Sequence, residues 1–113
     1  MAILLLGLSL APGAALGARP TGADPVARGR SVAIEACASC HAVERGGVSP
    51  VARAPGFATT EMQHVAGLEG RVAGLTRAGH YGMPPVQLGP GQIEDLVAYI
   101  ESLSDPDADR RKR

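Results

Sequence analysis

The chain has no tryptophan, one phenylalanine and two tyrosines among its 113 residues. Aromatic rings usually carry much of the buried area of a small core, and at this length a core alone is marginal. Something else, large, flat and apolar, is expected to fill the middle. Lysine is nearly missing as well. Its single occurrence is Lys112, inside the run "RRKR" from Arg110 to Arg113. Formal charges balance over the whole chain, yet acidic residues outnumber basic ones from Asp24 to Asp109. That excess repels phosphates and argues against a nucleic-acid partner. With only two cysteines, a four-thiolate zinc site is excluded, and no second Cys/His pair stands at finger spacing.

The N-terminal stretch "MAILLLGLSLAPGAALGARPTGADP" begins apolar and then turns small and polar. A spanning helix needs about 20 apolar residues, and Pro12 and Gly13 interrupt this run before that. The pattern is that of a secretory leader, although the basic residues that normally precede the apolar run are missing. "ALG" ending at Gly17 and "TGA" ending at Ala23 offer cleavage sites; a retained anchor is the alternative. The expected organisation is a leader over 1–23, one folded domain over 24–105 and a solvated basic tail over 106–113.

Against this background stands "CASCH", Cys37 to His41. Two thiols and an imidazole at this spacing suit a redox dithiol, half a zinc site or a haem attachment point. A thioredoxin-like CxxC opens a helix after a strand. Here the preceding residues read as helix, with Val26, Val32, Ala33, Ala36, Cys37 and Cys40 mostly at spacings of three and four. Positions i, i+3 and i+4 share one face of a helical turn. Cys37 and Cys40 can therefore reach the two vinyl groups on one edge of a porphyrin, with His41 beneath the iron. C-x-x-C-H is the signature of covalent haem attachment, and the haem reading is preferred over the dithiol.

The opposite face of the iron needs its own ligand. Met62, Met83, His64 and His80 are the candidates. Met83 lies in "HYGMPP", where Gly82 permits unusual backbone angles and Pro84 and Pro85 stiffen the chain. A thioether on so rigid a loop is aimed by its backbone, whereas Met62 and His64 fall within a helical stretch, "TTEMQHVAGLEGRVAGLTRAG". There Val65, Leu68, Val72 and Leu75 form one apolar face. His80 competes for the iron only if the loop opens. Further on, Gly89 and Pro90 start a last helix whose buried stripe is Ile93, Leu96, Val97, Ile100 and Leu103, ended by Pro106.

Taken in order, "GRSVAIEACASCH", "RAPGF", "GMPP" and "GQIEDLVAYIESL" resemble the class I cytochromes c, of the small bacterial periplasmic type, over about Pro25 to Leu103. The resemblance implies an all-α fold, three main helices and loops around one covalent haem c. It implies thioether links at Cys37 and Cys40, axial ligands His41 and Met83, and a proline carbonyl holding the His41 ring. Pro55 is the best match for that proline and Pro50 the runner-up. It also implies a close crossing of first and last helices at Gly29, Ala33 and Tyr99. The tryptophan that often binds a haem propionate is absent, which leaves Arg53 and Tyr81 as substitutes. The lysine ring of mitochondrial members is absent too, so a different partner is implied.

The function implied is periplasmic single-electron transfer between redox proteins, with no bond-making reaction of its own and no membrane insertion after cleavage. A dedicated subunit of a periplasmic dehydrogenase is the first alternative. A haem-based gas sensor, in which Met83 leaves the iron, is the second.

Overall fold

The computed structural model describes residues 24–63 and 66–104. The expected leader over 1–23, His64, Val65 and residues 105–113, which include the expected basic tail, lie outside the described residues. The fold is all-α: α1 (Pro25–Ala36), α2 (Thr60–Gln63), α3 (Leu68–Ala78) and α4 (Pro90–Ser102). The only extended pairing among the described residues is a single antiparallel bridge between His80 and Met83.

Local chemistry explains where the long helices begin. Asp24 caps α1, its Oδ1 accepting from the Ala27 N–H at 2.9 Å, and Pro25 occupies the first turn. There the missing N–H of proline costs nothing. At α4, Gly89 is extended, Pro90 follows, and the Gln92 side chain accepts from the Gly89 N–H at 2.9 Å. That contact is half of a capping box.

One helix expected over 59–79 is in fact two. Gly67 adopts φ 68° and ψ 38°, left-handed, immediately before α3. Glycine takes this conformation without steric cost, so the apolar period that runs through the segment conceals a break. The result is three main helices with the single turn of α2 between the first two.

Helices α1 and α4 form the scaffold. They cross at Gly29, and the ring of Tyr99 is buried at the same place, its hydroxyl donating to the Val43 carbonyl at 2.6 Å. Beside the crossing, Arg28 grips the buried Asp95 with two parallel bonds of 2.9 and 3.1 Å. Ala33 is fully covered, and Leu96 and Ile100 are the largest side chains wholly buried. Truncating either to alanine should cost about 2–5 kcal/mol. Ile93 and Leu103, expected in the buried stripe, are only half-buried at its ends, as is Leu75 on α3. Cys37, Val43, Phe57, Leu68 and Val72 complete one continuous apolar cluster.

Candidate haem site

Helix α1 stops at Ala36, and CASCH follows as a turn rather than as more helix. Its internal bonds keep the i+3 and i+4 geometry nonetheless. The Cys37 N–H donates to Ala33 O at 2.9 Å, and the Cys37 carbonyl accepts from both Cys40 (3.2 Å) and His41 (2.9 Å). Cys37 and Cys40 are free thiols, the first buried in the apolar cluster and the second half-buried. Burial first, and the nearby Cys40 second, push the Cys37 thiol up to about 11. Redox dithiols need the opposite direction, a thiol acidified below its ordinary value.

The loop after the turn folds back and fixes the imidazole. Phe57 N–H bonds Ala42 O at 2.8 Å, Val51 N–H bonds Cys40 O at 3.2 Å, and the Ser49 hydroxyl accepts from Ala42 N–H at 2.9 Å. This return places the Pro55 carbonyl 2.8 Å from His41 Nδ1. A carbonyl can only accept, so Nδ1 carries the proton, and in the neutral ring Nε2 is then the nitrogen that holds the lone pair. The Phe57 ring lies 5.3 Å from the imidazole, centre to centre. Such a bond to the distant ring nitrogen orients a ligating histidine and raises its basicity. Between the two prolines named from the sequence, it is Pro55 whose carbonyl meets the ring.

Met83 is delivered by a separate device. His80 and Met83 exchange two backbone bonds, 3.0 and 2.7 Å, around the two-residue turn Tyr81–Gly82. Tyr81 has φ 34° and Gly82 φ 85°, both positive, as a turn of type I′ requires. The sequence drew attention to Gly82, but Gly79 matters as much. Its φ of 72° and ψ of 174° belong to a region open essentially to glycine alone. A Cβ there would stand 2.7 Å from the Met83 carbonyl oxygen. Both ends of the segment are tied to the last turn of α3, Gly79 N–H to Leu75 O at 2.8 Å and Val86 N–H to Thr76 O at 2.7 Å. Met83 is half-buried, Met62 packs against the core, and Arg53 and Tyr81 are exposed.

The donor set fits a haem. Cys37, Cys40 and His41 stand together on one turn, Cys37 inside the apolar cluster and His41 beside Phe57, while Met83 is half-buried on a separate turn and is not among the side chains packed against that cluster. Among the described residues, no group of three or more His, Cys, Asp or Glu side chains is placed to hold a bare metal ion. Again among the described residues, no helix is long and apolar enough to cross a membrane.

The family model described as Cytochrome c matches residues 26–104, and the chain belongs to that family. No curated protein and no solved structure gave a match. Membership makes the cofactor covalent haem c and the chemistry haem-based electron transfer. Members are typically carriers rather than enzymes and, in bacteria, typically act outside the cytoplasm.

Proposed function

We propose that this chain carries single electrons between redox proteins of the periplasm, with haem c linked through Cys37 and Cys40 and its iron held between His41 and Met83. When bound, the haem supplies a centre that gains or loses one electron without breaking a bond. Everything else falls to the protein. Cys37 and Cys40 anchor one edge of the cofactor from the turn after α1. His41 presents Nε2 because Pro55 holds Nδ1–H. Met83, on its tight turn, supplies a soft neutral sulfur, and a thioether opposite a histidine raises the reduction potential relative to two histidines. The apolar cluster around Cys37, Phe57, Leu68 and Val72 keeps water away, which favours the less charged state.

The observation that carries this reading is the 2.8 Å bond from His41 to the Pro55 carbonyl, since it prepares an imidazole for ligation directly beside two free thiols. Absorption spectra of the holo-protein in both oxidation states test it. The expected results are thioether-linked haem in the reduced spectrum and a weak red sulfur band in the ferric one. Slow or absent carbon monoxide binding by the reduced protein completes the set. Rapid binding at neutral pH would instead favour the gas-sensor alternative. Co-elution of the native protein with an enzyme on size exclusion would identify it as a dehydrogenase subunit.

A further inference from the structure

Resting on the reading above and deepening it, we propose that His80 is a reserve axial ligand, which takes the iron position whenever the Met83 thioether is not on it. His80 and Met83 are bonded to each other in both directions across the turn, N–H to O at 3.0 Å and 2.7 Å. Directly opposed residues of an antiparallel pair project from the same face, with Cβ atoms about 4.5–5.5 Å apart. The imidazole therefore starts from the same side of the same turn as the sulfur.

The ring also lies outside the core. His80 is exposed, and its aromatic neighbour is Tyr81, met edge-on with centroids 4.1 Å apart. Tyr81 itself sits at φ 34°, left-handed, which a bulky side chain avoids. A strained residue persists only while its surroundings hold it there, so the turn that presents Met83 is the weak point of the loop. The exchange balances simply. One bond to sulfur opens as one to a ring nitrogen forms, a lone pair for a lone pair, with no electron or proton transferred from a neutral imidazole. Its consequences are two: the iron stays closed to small ligands, and the potential falls, because histidine on both sides lies below the His/Met pair.

The experiment compares holo-protein, matured in a host competent for haem attachment, as wild type, His80→Ala, Met83→Ala and the double variant. Absorption, electron paramagnetic resonance and potentiometry are the readouts. Met83→Ala should lose the red sulfur band yet remain low-spin and six-coordinate, refuse carbon monoxide, and show a potential below wild type. Adding His80→Ala should turn it high-spin and open to carbon monoxide. His80→Ala alone should keep the sulfur band, showing that the loop survives the change. The proposal is overturned if Met83→Ala is already high-spin, or if the double variant stays low-spin. A wild-type ferric protein with no sulfur band would sink the Met83 reading itself, an outcome visible before any variant is made.

Discussion

The backbone of Asp95 occupies the space where a side chain on Gly29 would go. A Cβ built on Gly29 would stand 1.8 Å from the Asp95 carbonyl oxygen and 2.7 Å from the Tyr99 Cβ. Overpacking against movable side chains costs about 1–3 kcal/mol. Here the obstacle is main chain within α4, so even Gly29→Ala must push the helices apart, and its cost should lie at or above the top of that range. Thermal unfolding of the holo-protein checks it. For a domain this small each kcal/mol is worth about 4–8 °C, so a drop of well over 10 °C is expected. A fall of only a few degrees would show that the crossing can slide.

This crossing was legible only through the family resemblance, which implies a glycine on the first helix against an aromatic on the last; Gly29, two turns before Cys37, and Tyr99, inside an unambiguous helix, match those places. CASCH was legible by itself because its parts are local. What could not be read depends on where distant segments meet or on which of several glycines turns left-handed. Gly67, Gly70 and Gly74 share one stretch, yet only Gly67 breaks the helix, and the apolar period gives no hint which. Gly79 is silent without the path of the chain back to Met83. Asp95 and Thr76 look like surface residues but are buried, Asp95 because Arg28 answers it from another helix, and Thr76 because its hydroxyl bonds the Val72 carbonyl one turn back.

Arg45 is a further case, and it yields a prediction. Its guanidinium donates to the carbonyls of Leu103 (3.1 Å), Ser102 (3.0 Å) and Ser104 (3.0 Å). The last carbonyls of a helix have no partner within it, and a cation there is favourable by about 0.3–1 kcal/mol. Arg45→Met should therefore lower stability by about 1 kcal/mol. Arg45→Lys should recover only part of it, because an ammonium cannot fork across three acceptors. Chemical denaturation of the three proteins would rank them, and a lysine variant equal to wild type would argue for charge alone.

Tyr99 links stability to alkaline pH. Only the neutral phenol can donate to the Val43 carbonyl. Burial, and then the charge of Glu44, raise the Tyr99 pKa above its ordinary value of 10.0. A raised folded value means that this contribution is complete below about pH 10 and is lost as pH climbs through the folded pKa. Tyr99→Phe should cost about 1 kcal/mol at neutral pH, more if the carbonyl finds no other donor. It should also flatten the decline in melting temperature above pH 10. An unchanged alkaline slope in the phenylalanine variant would assign that decline to another group.

The Met83 segment supplies a pair of opposite predictions. Gly79 holds a conformation that costs other residues about 1–3 kcal/mol, and an added Cβ would press on the Met83 carbonyl. Since α3 ends just before it, the compliant part is the turn, so Gly79→Ala should weaken the proposed sulfur coordination before it melts the protein. The red band should fade and the potential drop, while helical circular dichroism stays near wild type. Tyr81 works the other way. It pays for a left-handed backbone that Asn adopts readily, and Asn–Gly is the preferred pair for this turn. Tyr81→Asn should stabilise the turn by a fraction of the about 1–2 kcal/mol that left-handed backbone costs, leaving the sulfur band at full strength and more resistant to heat. If Gly79→Ala instead lowered the melting temperature sharply with the red band intact up to the transition, the glycine would serve the helix end and not the methionine. A Tyr81→Asn protein with a weakened band would show that the tyrosine ring, and not only the turn it sits in, holds Met83 in place.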